Sequence, residues 1–133
     1  MKLNLTVDMT ALKLAAAAKI DTSAEAARGL FVTLGSGQAM VYDQKAKEAE
    51  AFMANEAIAL GEIPHLSGEA ALNGIPVFDQ AVIYLTMAQQ WRTASSVIEA
   101  KRLAAKQAVT EAKSPAAIDA ATLIDWSELQ ILN

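Results

Sequence analysis

The stretch Leu34-Gly35-Ser36-Gly37-Gln38-Ala39 follows an apolar run and opens a helical pattern. Backbone N–H groups at such a junction can hold an anion. A phosphate loop would need a closing Lys-Ser/Thr, and a dinucleotide fingerprint a third glycine inside a strand–helix–strand unit. Neither is present. A turn needing positive φ accounts for Gly35 and Gly37, and helix capping accounts for Ser36 or Gly37. Gly35, Gly37 and Gln38 are therefore expected to form a structural joint. His65 is the only histidine, in Ile63-Pro64-His65-Leu66, with Glu62 and Glu69 near in sequence. One imidazole and no cysteine cannot supply a usual zinc set or the paired Glu-x-x-His motifs of di-metal bundles. His65 is expected in a loop. Glu48, Glu50, Glu56, Glu62 and Glu69 are expected on solvated faces. No catalytic residue, cofactor or metal ligand is expected, and the chain is not read as an enzyme.

Composition narrows the field. About a fifth of the 133 residues are alanine and aromatics are 5%, so the core must be thin, with helices close together. A net charge of −4 argues against a dedicated nucleic-acid surface. Lys101, Arg102, Lys106 and Lys113 make one stretch locally basic, but Glu99 and Glu111 interrupt it, as on a solvated helix face. No apolar run approaches the ~18 residues of a membrane span. Leu12 to Ala18 is too short and too interrupted by Lys13 for a secretory signal. Neither nucleic acid nor membrane is expected as a partner.

The elements follow from period. Leu3, Leu5 and Val7 alternate with polar residues, which predicts a half-buried strand. Asp8 or Thr10 can cap a helix over Met9 to Ile20, and Thr22 with Glu25 has the spacing of a second cap. Leu30 to Leu34 reads as a second strand. From Gln38 to Leu60, Tyr42, Ala46, Ala49, Met53, Ala57 and Leu60 mark one helical face. A short helix is possible over Ser67 to Leu72. Between Pro76 and Ser114-Pro115 lie about 38 residues without a breaker, about 55 Å of helix. Val77, Ala81, Tyr84, Ala88, Trp91, Ser95, Ile98, Arg102, Ala105, Val109 and Ala112 form a heptad-like seam along it. Its first half is also apolar off the seam, at Val82, Ile83, Leu85 and Met87. One antiparallel partner cannot cover all of that, so another protein chain is expected to contribute. Ser114 should cap a last short helix, with Trp126, Leu129, Ile131 and Leu132 docking behind it.

The expected fold is mainly α: a small β-containing N-terminal head over 1–37, an antiparallel helical hairpin with one long coiled-coil-like helix over 38–113, and a short helix with a docking tail over 114–133. The interface candidates are Leu3, Leu5, Val7, Val82, Ile83, Leu85, Met87, Trp91 and Trp126.

Several blocks carry a resemblance: Ala27-Arg28, Phe31-Val32-Thr33, Gly35-Ser36-Gly37-Gln38, Val41-Tyr42, Lys45 and Glu48-Ala49, then Ile63 to Leu66, Trp91 and Ile98 to Ala100. Together they resemble a module of small tail-region proteins of tailed bacteriophages, over residues 21 to 125. Leu34 departs from it, standing where proline is common. The resemblance implies a structural protein of the virion tail, near the tail fibre or baseplate, made in the host cytoplasm. Its partners would be other tail proteins or copies of itself, met by helix packing and strand addition. The alternative is an assembly chaperone absent from the mature particle.

Overall fold

A computed structural model describes residues 8–132. Five α-helices account for most of them: α1 (Met9–Arg28), α2 (Ser36–Ala54), α3 (Pro64–Asn73), α4 (Val77–Glu111) and α5 (Pro115–Ala121), with 3-10 turns at Leu60–Glu62 and Ser127–Ile131. Contacts divide the chain into two compact units. One comprises the described residues of 1–31 with those of 94–133; the other is Val32–Thr93. Helix α4 contributes its first half to the second unit and its second half to the first.

The expected fold class is corrected. Among the described residues there is no strand, and so no β-containing head. Leu3, Leu5 and Val7 lie outside the described residues. Leu30 to Leu34, the proposed partner strand, is turn and irregular chain instead. The cause is local. Asp8 caps α1 by accepting from the N–H of Thr10 at 3.0 Å and of Ala11 at 3.3 Å. Nothing then stops the helix near Ser23. Thr22 bonds back to the carbonyl of Ala18, and Glu25 pairs with Arg28 at 2.9 Å, so neither makes a new cap. The helix runs on to Arg28 and closes through Gly29, Leu30 and Phe31, whose N–H groups bond the carbonyls of Glu25, Ala27 and Arg28. β-branched composition loses here to packing: Phe31 turns in against the first unit's core.

The hairpin is corrected as well. In the first unit the partner of α4 is α1. Ala16 and Ile20 meet Ala105, Val109 and Ala112, while Ala24 and Ala27 meet Ala94 and Ile98. Residue numbers rise along α1 as they fall along α4, so the pair is antiparallel. Ile118 of α5 seals one end, and Leu129, Trp126 and Leu132 seal the other. The Trp126 ring N–H donates to Ser23 at 2.9 Å. Alanine on both faces lets the helices approach closely, and the few large side chains supply the volume.

Arg102, the odd residue on the seam, reaches Glu99 at 2.7 Å and Asp21 at 3.0 Å. Lys106 also binds Asp21, at 2.8 Å, and Lys101 binds Glu128, at 2.8 Å. These cations are matched by acids of their own unit. Asp21 is held below the usual carboxylate range, first by its hydrogen bond to Lys106, which outweighs desolvation, and then by Arg102. Such exposed pairs contribute little each, about 0–1 kcal/mol.

In the second unit, Ala49 and Phe52 of α2 pack with Ile63 and Leu66 of α3 and with Ala81 and Tyr84 of α4. Helix α2 ends at Ala54, six residues before the expected Leu60, because Asn55 folds back to bond the N–H of Ala57 at 3.1 Å. Pro64 opens α3 rather than ending a helix. Gly74 ends α3 in the left-handed region, at φ 66°.

The two joint glycines prove unequal. Gly35 is the N-cap of α2 at φ 129°, a conformation side chains rarely adopt. Gly37 lies inside the first turn with open space where a Cβ would be. Gln38 is exposed in the same turn. Gly35→Val should cost about 1–3 kcal/mol. Gly37→Ala should be neutral or stabilise by up to about 1 kcal/mol. Denaturant midpoints of the two variants would check this; equal losses would show that the joint depends on both glycines.

Candidate functional site

Helix α3 begins without a cap of its own. Ile63 stands at the N-cap and makes no side-chain bond, and Pro64 has no N–H to offer. The orphan N–H groups of the first turn instead meet Glu48 of α2. One carboxylate oxygen accepts from the N–H of His65 at 2.7 Å and of Leu66 at 3.1 Å. The other faces His65 Nδ1 at 2.6 Å and accepts from the Gln44 side-chain amide at 3.0 Å. Glu48 is only 2% exposed, which corrects its expected place on a solvated face. Burial pushes its carboxyl up, but donation from Leu66, Gln44 and His65 outweighs that, and the net shift is downward.

One turn further along α3, Glu69 takes a hydrogen bond from the Tyr84 hydroxyl and an ion pair from Lys45 at 3.1 Å. The Lys45 ammonium also lies 5.1 Å from the centre of the Tyr84 ring. The Tyr84 hydroxyl lies 3.2 Å from the His65 carbonyl too, but its one proton goes to the charged acceptor. The Tyr84 hydroxyl holds Glu69 below the ordinary range against desolvation, with Lys45 assisting. Tyr84 is pushed up, by burial first and then by Glu69. The cluster pins three helices together through charge-assisted bonds.

It follows that acid should loosen the second unit. Both carboxyls have folded pKa values below their unfolded ones. Their contribution is complete above the unfolded value, about pH 4.3, and is lost as pH falls through the folded values. Urea unfolding at pH 7, 5 and 3 should show a loss between the last two points that Glu48→Gln reduces. An unchanged profile in that variant would remove Glu48 from the account.

The interface candidates fall in different places. Val82, Ile83 and Met87 stand on the outer face of α4 at 42%, 43% and 49% exposure, joined by Phe78 at 47%. Leu85 turns inward onto the second unit's core. Trp91 is half-buried, and Trp126 is occupied inside the first unit. The structure thus groups Val82, Ile83 and Met87 and separates the others from them. Phe78 was missed because it sits one residue after the start of the seam; its i,i+4 spacing to Val82 was the available signal. Glu48 was missed because the inner face of α2 was placed one residue off. The Lys45, Glu48, Ala49 and Phe52 spacing marks the true inner side.

Between Gln80 and Trp91 the sequence holds no charged residue, and on the exposed face Asp79 is the one charge up to Gln90. Single exposed apolar residues are ordinary, but four on one charge-poor face form a surface suited to another helix. No helix among the described residues is long and apolar enough to cross a membrane, and no group of three His, Cys, Asp or Glu among them could hold a metal. No family model, no curated protein and no solved structure matches this chain.

Proposed function

We propose that this chain is a structural interaction protein of a bacteriophage tail, acting at the tail-fibre or baseplate end by packing the outer face of α4 against another subunit. The observation that carries the packing mode is the exposure of two apolar pairs, Phe78 with Val82 and Ile83 with Met87, which flank Asp79 and Thr86 on the outer face of α4. The tail setting rests on the resemblance in the sequence. The residues of that resemblance have coherent local roles, which supports treating them as one module. Thr33 donates its N–H to the Tyr42 hydroxyl at 2.9 Å, Gly35 caps α2, Lys45 and Glu48 anchor α3, and Ala27 is core. Mass spectrometry of purified virions tests the proposal: the chain should be present in stoichiometric amount. Its absence from intact particles, together with capture on a tail protein in infected cells, would replace this reading with that of an assembly chaperone.

A further inference from the structure

We propose that His65 is a phosphoryl-acceptor site, with ring atom Nε2 as the nucleophile and a phosphoramidate as the class of donor. The His65 side chain is 40% exposed, while the Glu48 side chain that holds its other ring nitrogen is 2% exposed. Glu48 Oε2 lies 2.6 Å from Nδ1. Glu48 is ionised at neutral pH, since donation from Leu66, Gln44 and His65 outweighs the burial that pushes its carboxyl up. An ionised carboxylate only accepts, so Nδ1 carries the ring proton. The lone pair of the neutral ring is then on Nε2, which has no hydrogen-bond partner among the described residues.

Capping does not require this arrangement. Helix α3 uses Glu48 Oε1 alone, for the N–H groups of His65 and Leu66. Oε2 already has a donor in the Gln44 amide, at 3.0 Å. The ring bond is an addition to the cap. It completes the pattern of an activated nucleophile: a reacting atom open to solvent, a carboxylate behind the ring, and further donors that fix the carboxylate.

The step balances. Nε2 gives its lone pair to phosphorus as the bond from phosphorus to the donor nitrogen breaks. That nitrogen, protonated beforehand, keeps the bonding pair and leaves as neutral ammonia or amine. The positive charge passes to the ring, where Nδ1 keeps its proton against the Glu48 carboxylate, so Glu48 stabilises the imidazolium as it forms. Glu48 is a positioning residue, because it touches the ring and not the phosphorus. The next acid along α3, Glu69, has its charge met by Lys45 at 3.1 Å and by the Tyr84 hydroxyl. His65 is the second residue of α3, at the positive end of the helix dipole. The negative charge of a phosphoryl group gains from that place, and a neutral acyl group does not.

Potassium phosphoramidate is the probe, used on the full chain at about pH 8, above the ordinary histidine range. Intact mass spectrometry should show one added phosphoryl group, and NMR should place it on Nε2. The chain has one histidine, so His65→Gln should take up none. The folded chain should react faster than the same chain in urea, by on the order of tenfold. In Glu48→Gln the new amide can donate to Nδ1, which moves the ring proton to Nε2 and ties up the lone pair. This variant should keep its helical circular dichroism and fall to the unfolded rate. A folded chain no faster than the unfolded one overturns the proposal, as does a product on Nδ1 or a folded Glu48→Gln that reacts at the wild-type rate. If Glu48→Gln does not fold, the comparison of folded with unfolded wild type still decides.

Discussion

Replacing Glu48 with alanine should cost the second unit roughly 3 kcal/mol, among the largest effects of any single change in the chain. The carboxylate takes two backbone N–H groups at the start of α3, at 2.7 and 3.1 Å, together with the His65 ring and the Gln44 amide. Alanine leaves the N–H groups without an acceptor in a place where water enters poorly. The cost of an orphaned buried donor is about 1–3 kcal/mol, and bonds to a charged acceptor are the stronger kind. Glu48→Gln keeps one acceptor oxygen for the backbone pair but loses the charge, so it should fall near half of the alanine loss. Urea unfolding measures the totals. Hydrogen exchange gives the location: the amides of His65 and Leu66 should lose protection first, while α1 and α5 stay protected. Uniform loss across both units would contradict a local capping role.

Ile98→Ala should be comparably severe in the first unit, at about 3–4 kcal/mol. Ile98 is fully buried, among the buried residues Ala24, Ala27, Ala94 and Leu129, with Phe31, Val97, Trp126 and Leu132 packed around them. Since three of the four buried neighbours are alanine, the isoleucine carries much of the buried volume. The helix backbones are already close and hydrogen-bonded, so the site cannot collapse to fill the cavity. That places the loss in the upper part of the ~2–5 kcal/mol range for such truncations. Ile83→Ala, on the outer face of the same helix, should cost under about 1 kcal/mol and serves as the control. Thermal unfolding of the two variants at low protein concentration decides it. Equal losses would mean that the inner and outer faces of α4 have been misassigned.

Much of the secondary structure was legible because it depends on neighbours in the sequence. Asp8 and Ser114 cap helices through their own side chains, with Ser114 accepting from the Ala117 N–H at 3.1 Å. The breaker-free run from Val77 to Glu111 is one helix, and its seam residues Ala81, Tyr84, Ile98, Ala105, Val109 and Ala112 are buried. The β head was misread for an equally local reason. Leu30 to Leu34 has strand composition, but composition reports a preference for any half-buried surface, and Phe31 finds one against Ile98 and Leu129 without a strand. The outer face of α4 was legible in part: a helix apolar on most sides cannot hide all of them, and Val82, Ile83 and Met87 stand outside. Leu85 carries the same hydrophobicity and is turned inward, a distinction that rotation about the helix axis makes and composition cannot.

By itself, then, the sequence determined where α1, α4 and α5 start, which stripe of the long helix is buried, and that its first half would leave apolar surface over. Those are consequences of capping chemistry and of a 3.6-residue period, both of which act within a few residues. Only the tertiary structure decided that α1 covers the second half of α4, and that Glu48 reaches across 17 residues of sequence to His65 to cap the helix that Pro64 begins. An alanine-rich face fits many neighbours almost equally well. The choice among them falls to the few large side chains and buried charges, whose partners are distant in sequence and are set by the whole packing.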